Sequence, residues 1–437
     1  MHALFRNPTF RRLFLGRLVT NAGDSLYYVA AMWLVYELTG SELYTGVAGF
    51  LVMAPAALQF LFGPLVDRLP LRQVFVGTQL LQGVLVLVVP AAAHVGALSA
   101  PLLLAVMPLL SLLNQPVYPA QSAALPRIVE QDELVAANSL FTLAYQGVDA
   151  AFNALGGVLI AAVGGVTLFL VDSVTFAVAV WLFAGLRIPA ASTTGDAGPS
   201  PPTDGDPDTD SDAAVADGGV DDADSDSNGD DSYLADLREG IAFLRGTVVA
   251  KLLAGAVVVN FTLGGVMAVL PAYGDQLGGA SAYGILTAGI GVGLLVGALA
   301  GNVLDRFRFG VVAVVGTLLS AVVWAGAVTV GWLPATAALF ALAFVPAGVV
   351  NVLIASMVQA LVPEGLLGRV SSVLGSASAA MTPVGALVGG AVAAATSTSV
   401  VLWGGAVGFA VYGLYVLTVP SLRRLPRVDA VSTLAAE

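Results

Sequence analysis

Two aspartates, Asp24 and Asp149, stand near the middle of long apolar runs, where an ionised carboxylate costs several kcal/mol. Counted from the starts of those runs, near residues 12 and 137, each lies about twelve residues, roughly 18 Å, along its helix. The two carboxylates therefore belong at similar depth. Arg17, Asn21 and Tyr28 join Asp24 at helical spacing, and Thr142, Gln146 and Asn153 join Asp149 in the same way, so each run carries one polar stripe. Two such stripes are costly against lipid and are expected to face each other or a water-filled cavity. The chemistry open to them is reversible protonation at Asp24 or Asp149, with hydrogen bonding to a small molecule. The alternative is an interhelical hydrogen-bond cluster that only packs the helices. Uncharged polar groups at comparable depth, Asn114, Gln115 and Tyr118, Asn260, and Asn351, extend the candidate cavity. Arg17 is expected to reach back to the interface as a topological anchor, and Asp172 to cap or anchor its helix near the outer end.

Covalent and metal chemistry have little material. The chain has no cysteine, and its two histidines, His2 and His94, fall at a terminus and in a loop. A membrane enzyme would need clustered His, Asp or Glu at an interface, and the loops show none. No Gly-rich stretch ends in Gly-Lys-Ser/Thr, so an ATP-driven pump is excluded as well. Neither an enzyme, nor a cofactor, nor a metal site, nor a nucleic-acid partner is expected.

The elements that position the stripes are membrane spans. Of 437 residues, 57% are hydrophobic and 11% charged, against about a quarter charged in soluble domains. Apolar runs long enough for a hydrocarbon layer of about 30 Å fall at 12–36, 44–66, 73–93, 98–121, 137–162, 166–187, 249–271, 281–303, 310–331, 334–360, 372–394 and 399–419. The fold class expected is an all-α membrane protein of twelve transmembrane helices. With both termini in the cytoplasm, all 17 Lys and Arg fall in cytoplasmic segments or at cytoplasmic helix ends. The alternate loops, near Glu42, His94, Gly165, Asp275, Trp332 and Ser397, contain no basic residue. Arg6, Arg11, Arg12 and Arg17 lead into a full-length span, so the N-terminus is expected to be retained rather than cleaved as a signal.

The two halves repeat. Gly63-Pro-Leu-Val-Asp67-Arg68 after the second run matches Gly301-Asn-Val-Leu-Asp305-Arg306 after the eighth, and Pro126 with Glu130 echoes Pro363-Glu364. Residues 1–190 and 233–427 are expected to form six-helix pseudo-repeats, the second preceded by a cytoplasmic amphipathic helix, with 428–437 as a tail. Between them, 191–232 holds 13 of the chain's Asp and no basic residue and reads as a disordered acidic linker. It accounts for the net charge of −12, since the remainder has 16 acidic against 17 basic groups. Asp-rich acidity with Lys251 as the sole lysine resembles proteins of salt-loving archaea. Gly289, Gly293, Gly297 and Gly301 recur every fourth residue, which allows close helix approach and a smooth surface along which the halves rock.

Seven strings in order carry a family resemblance: Phe5-Arg-Asn-Pro-Thr-Phe10-Arg-Arg, Asn21-Ala-Gly-Asp24, Leu38-Thr-Gly-Ser41, Gly63…Asp67-Arg68…Arg72, Leu125-Pro126 through Asn138, Asp172-Ser-Val-Thr-Phe176, and Val362-Pro363-Glu364 with Gly368-Arg369-Val370. The chain resembles the major facilitator superfamily, in the branch of macrolide-exporter-like and enterobactin-exporter-like permeases. That resemblance implies a cavity lined by spans one, four, seven and ten, and a cytoplasmic gate built from Gly63, Asp67, Arg68 and Arg72 with Asp305 and Arg306. It also implies a monomeric multi-pass carrier of the cell membrane that exports small hydrophobic or amphipathic compounds by alternating access, driven by protons or another cation. Two departures stand out: Pro70 replaces the usual glycine of the gate loop, and Phe152-Asn153 stand where the antiporter signature has Gly-Pro. An importer or an uncoupled facilitator of a small metabolite is the alternative reading. The cysteine-free chain allows a direct check of orientation. Single cysteines replacing His94 or Trp332 should react with an impermeant maleimide added outside intact cells, and one replacing Arg306 should react only after permeabilisation.

Overall fold

The computed structural model describes residues 2–62, 66, 69–189, 244 and 246–427. The acidic segment 191–232, the tail 428–437 and most of the expected amphipathic helix thus lie outside the described residues, as do Gly63, Asp67 and Arg68.

Every regular element described is helical. We label α1 Pro8–Thr39, α2 Glu42–Met53, α3 Leu71–His94, α4 Ala100–Ile128, α5 Leu134–Val163 and α6 Gly165–Ala184. The second group is α7 Val248–Gly278, α8 Ala280–Leu304, α9 Phe309–Val330, α10 Leu333–Leu361, α11 Val373–Ala395 and α12 Thr398–Thr418. Local chemistry sets several boundaries. Asn7 caps α1 by accepting from the amides of Thr9 and Phe10, Pro8 occupies the first turn, and Gly40 ends the helix at φ 60°, a left-handed conformation suited to glycine. Ser397 caps α12 by accepting from the Val400 amide.

Among the described residues, nine helices are long and apolar enough to cross a membrane, three fewer than the twelve runs counted from the sequence. The other three are α1, α2 and α5. Arg17, Asn21 and Asp24 dilute the apolar character of α1. α2 runs for only 12 residues before the chain tightens, at a proline-initiated turn, into the 3₁₀ segment Ala54–Leu61.

α1 packs against α5 and α6, α3 against α4 and α6, and in the second group α8 lies along α10, α7 along α11 and α12, and α9 along α10 and α12. Two helix couples join the groups most extensively, α5 with α8 and α2 with α11. Their contacts lie at the end of the bundle away from the termini, the far end. There the Cβ that Gly157 lacks would fall 2.0 Å from the Gly284 Cα, and that of Gly390 2.8 Å from the Gly46 Cα. The Thr45 hydroxyl donates to the Ala268 carbonyl at 2.6 Å, the Thr398 hydroxyl donates to the Glu42 carboxylate at 2.8 Å, and the Trp33 and Tyr283 rings stack with centroids 6.0 Å apart. Each cross-group hydrogen bond and glycine contact among the described residues is at this end.

The glycine stripe of α8 gives the close helix approach expected of it, but within one group rather than between the two. Gly289, Gly293 and Gly297 face the backbone of Ala337, Ala341 and Val345 in α10, and Gly301 faces Val352. The stripe brings together two helices of one group and forms no sliding surface between groups. A four-residue repeat of small side chains marks close approach without specifying which helix approaches.

These two glycine sets should respond differently to bulk. Gly297→Leu forces a side chain into the α10 backbone and should lower stability by about 1–3 kcal/mol, read as a lower melting temperature in detergent. Gly284→Val should keep a near-native melting temperature while raising the labelling of far-end cysteines, because it obstructs only the junction with Gly157.

Candidate functional site

The polar stripes of α1 and α5 meet. The Asn21 amide donates to an Asp149 carboxylate oxygen at 2.8 Å, and the Ser25 hydroxyl donates to the same oxygen at 2.7 Å. Asp24, one residue round the helix, turns instead toward α4, where the Asn114 amide donates to its carboxylate at 3.3 Å. Asp149 is exposed and Asp24 half-buried, so the two acids differ in how far the protein itself covers them. Tyr28 is half-buried on the same stripe, and Tyr118 presents its ring at 40% exposure.

Arg17 is not at an interface. It is 1% exposed, and its Nε donates to Gln121 Oε1 at 2.9 Å and to the Tyr145 hydroxyl at 3.0 Å. The guanidinium lies over two rings, 4.9 Å from the Tyr118 centroid and 5.3 Å from that of Tyr145. Tyr145 in turn donates to Gln121. The expected snorkelling anchor is therefore a buried cation held by neutral acceptors and aromatic faces, a setting in which a delocalised guanidinium is more readily desolvated than an ammonium.

Other expected residues fall in several places. Gln115 is buried, and its amide donates to the Ser111 carbonyl of its own helix at 2.9 Å, which directs it into packing. Asn260 is half-buried, accepting from the Thr382 hydroxyl at 3.2 Å and donating to Ala256 in its own helix. Asn351 is exposed on α10. Gln146 and Asn153 belong to α5, but their side chains lie outside the described residues, as do the gate residues Gly63, Asp67 and Arg68. Of the remaining gate candidates, Arg72 is exposed, Asp305 is half-buried, and the Arg306 guanidinium lies 5.3 Å from the Phe307 centroid.

Asp172 also differs from expectation. It is 1% exposed, seven residues inside α6 rather than at its cap, and packed where Gly23 of α1 has no side chain. Ser25, Gln121 and Tyr145 were not singled out from the sequence. Ser25 follows Asn21 by one helical turn, which was an available signal, whereas Gln121 and Tyr145 become significant only once Arg17 is known to be buried.

An apolar crevice of about 20 Å³ in the second group, lined by Leu263, Val266, Trp324, Phe344 and Phe409 among others, is too small for a drug-sized ligand. It lies apart from the carboxylates. Among the described residues, no group of three His, Cys, Asp or Glu could hold a metal ion.

A bundle of helices long and apolar enough to cross a membrane, with charged groups buried inside it, marks a multi-pass membrane protein. The model of the Major Facilitator Superfamily matches residues 13–386, and the chain belongs to that family. It is 26% identical to the "Multidrug efflux pump Tap" of Mycolicibacterium fortuitum, with 96% of this chain and 97% of that protein covered. Its fold is similar to that of the nucleoside transporter NupG, with a TM-score of 0.67 at 12% identity, covering 93% of this chain and 97% of that one. It is also similar to a bacterial homologue of the iron transporter ferroportin in an inward-facing state, with a TM-score of 0.65 at 16% identity, covering 95% and 98%.

The hydrogen bonds of the site should differ in weight. Tyr145→Phe removes one of two acceptors of a buried cation and should cost about 1–3 kcal/mol. Ser25→Ala should cost under about 1 kcal/mol, since the Asn21 amide still donates to the same Asp149 oxygen. Unfolding of the purified variants in detergent measures both.

Proposed function

We propose that this protein is a secondary active transporter of the cell membrane, exporting small hydrophobic or amphipathic compounds by alternating access in exchange for protons. The observation that carries this reading is the pair of carboxylates on α1 and α5. Asp149 is exposed and half-satisfied by Asn21 and Ser25, and Asp24 is held by Asn114, with a single buried cation, Arg17, nearby. With both acids ionised the cluster carries one net negative charge, which favours a proton or a cationic group. Competition between the two for the same carboxylates makes exchange possible, because binding one expels the other.

The charge pattern supports cytoplasmic termini. On that orientation the far-end contacts of α5 with α8 and α2 with α11 close the outer side, and substrate enters the cluster from the cytoplasm. The relative named as a multidrug efflux pump supports export of apolar compounds. Asp67, Arg68 and Arg72, with Asp305 and Arg306, would then close the cytoplasmic side of a monomer in the opposite state. Uptake or uncoupled passage of a small metabolite is the second reading, favoured by Phe152-Asn153 in place of Gly-Pro and by the fold shared with a nucleoside transporter.

Energised everted vesicles separate the two. Hydrophobic compounds should trigger proton release with wild type, and Asp24→Asn or Asp149→Asn should reduce that release at least about tenfold at unchanged protein level. Release that is equal in all three proteins would overturn the assignment of these carboxylates. Compound movement without any proton release would favour the uncoupled reading.

A further inference from the structure

One turn of α1 touches carboxylates on three sides. Asn21 and Ser25 face Asp149 on α5, Asp24 turns to Asn114 on α4, and Gly23, at 200° from both Asn21 and Ser25 on the helical wheel, backs onto Asp172 of α6. The fit at the third side is close. A Cβ on residue 23 would fall 2.2 Å from Asp172 Oδ1 and from Thr175 Oγ1. Glycine at this position therefore makes room for the acid.

Asp172 is 1% exposed. The Thr175 hydroxyl donates to the Asp172 main-chain carbonyl at 2.8 Å and its oxygen lies 3.1 Å from Asp172 Oδ1, while Oδ2 is buried with no hydrogen-bond partner. No Lys, Arg or His approaches it within ion-pair distance among the described residues. The titratable groups that face it are Asp24 and Tyr27 of α1. α3, which meets α6 where Gly83 abuts Phe176, carries no titratable residue between Arg72 and His94, and α6 carries none besides Asp172. Tyr145 and Asp149 of α5 contact the opposite side of α1. A buried carboxylate with an unpaired oxygen and no counter-cation is among the most expensive groups a protein can hold, and binding a proton removes that charge.

We infer that Asp172 is a proton-binding site of this transporter, occupied in this conformation, with the proton on Oδ1 donated to Thr175 Oγ1 and Oδ2 left as the carbonyl oxygen of a neutral acid. The carboxylate takes the proton from solvent and becomes a neutral acid, with no other bond made or broken. Its place behind α1 separates it from the exposed Asp149, so a proton held there is exchanged only when α1 and α6 part. The inference deepens the proton-coupled reading above and rests on it for its role in transport. Occupancy itself can be measured without transport.

The test is infrared spectroscopy of the purified full-length protein at neutral pH, following the C=O stretch of protonated carboxyl groups. Wild type should show a band that disappears in Asp172→Asn and survives in Asp24→Asn and Asp149→Asn. Gly23→Ala, which leaves the acid in place but crowds Oδ1, should shift that band, and it serves as the readout if Asp172→Asn fails to fold. A neutral-pH spectrum unaltered by both substitutions at residues 172 and 23 would overturn the site. If the band behaves as expected but vesicles release no protons, the site stands and the proton-coupled reading fails. In coupled vesicles, Asp172→Asn should lower the protons released per molecule of substrate by at least about a third, and an unchanged ratio would overturn its part in transport.

Discussion

A charged group inside a helix surrounded by hydrocarbon must find polar partners within the protein, and the packing around α1 follows from that constraint. Arg17, Asn21, Asp24 and Ser25 occupy two turns of one helix, and together they engage α4 and α5. The partners are mostly neutral: Gln121, Tyr145 and Asn114 supply hydrogen bonds without adding charge. Neutral partners keep each ionisable group solvated while leaving its charge available to another ion or ligand, which a tight ion pair would not.

The second determinant is the absence of side chains. Gly157 against Gly284 and Gly46 against Gly390 bring backbones of the two helix groups into contact at the far end, and the α8 stripe does the same with α10 inside one group. Apolar contacts, such as the Trp33–Tyr283 stack, dominate this junction, and the polar ties there are few: the Thr45 and Thr398 hydroxyls. The junction joins the groups at one end only, whereas α8 runs against α10 over four successive glycines within one group.

Much of the site was legible in the sequence because the membrane restricts what an apolar run can carry. Asp24 and Asp149 stood out as the midspan acids, and helical spacing placed Asn21 and Tyr28 beside one of them. That the α1 and α5 stripes avoid lipid, facing each other or a water-filled cavity, follows from the same logic. Gln115 lacked such a constraint: an amide can satisfy itself on its own helix, as it does at Ser111, so its polarity alone did not aim it at a cavity.

Hydropathy, charge and helical period by themselves determined that the chain is a multi-pass helical membrane protein and which helix faces carry polar groups, because those properties are local and set by solvent. Which faces meet was decided only by the tertiary structure. It alone buried Arg17 beneath Tyr118 and Tyr145, turned the α8 glycines toward α10, and set Asp172 in the notch at Gly23, since each depends on a partner more than a hundred residues away or on another helix whose approach no spacing rule encodes. A period identifies a face. Packing selects what it touches.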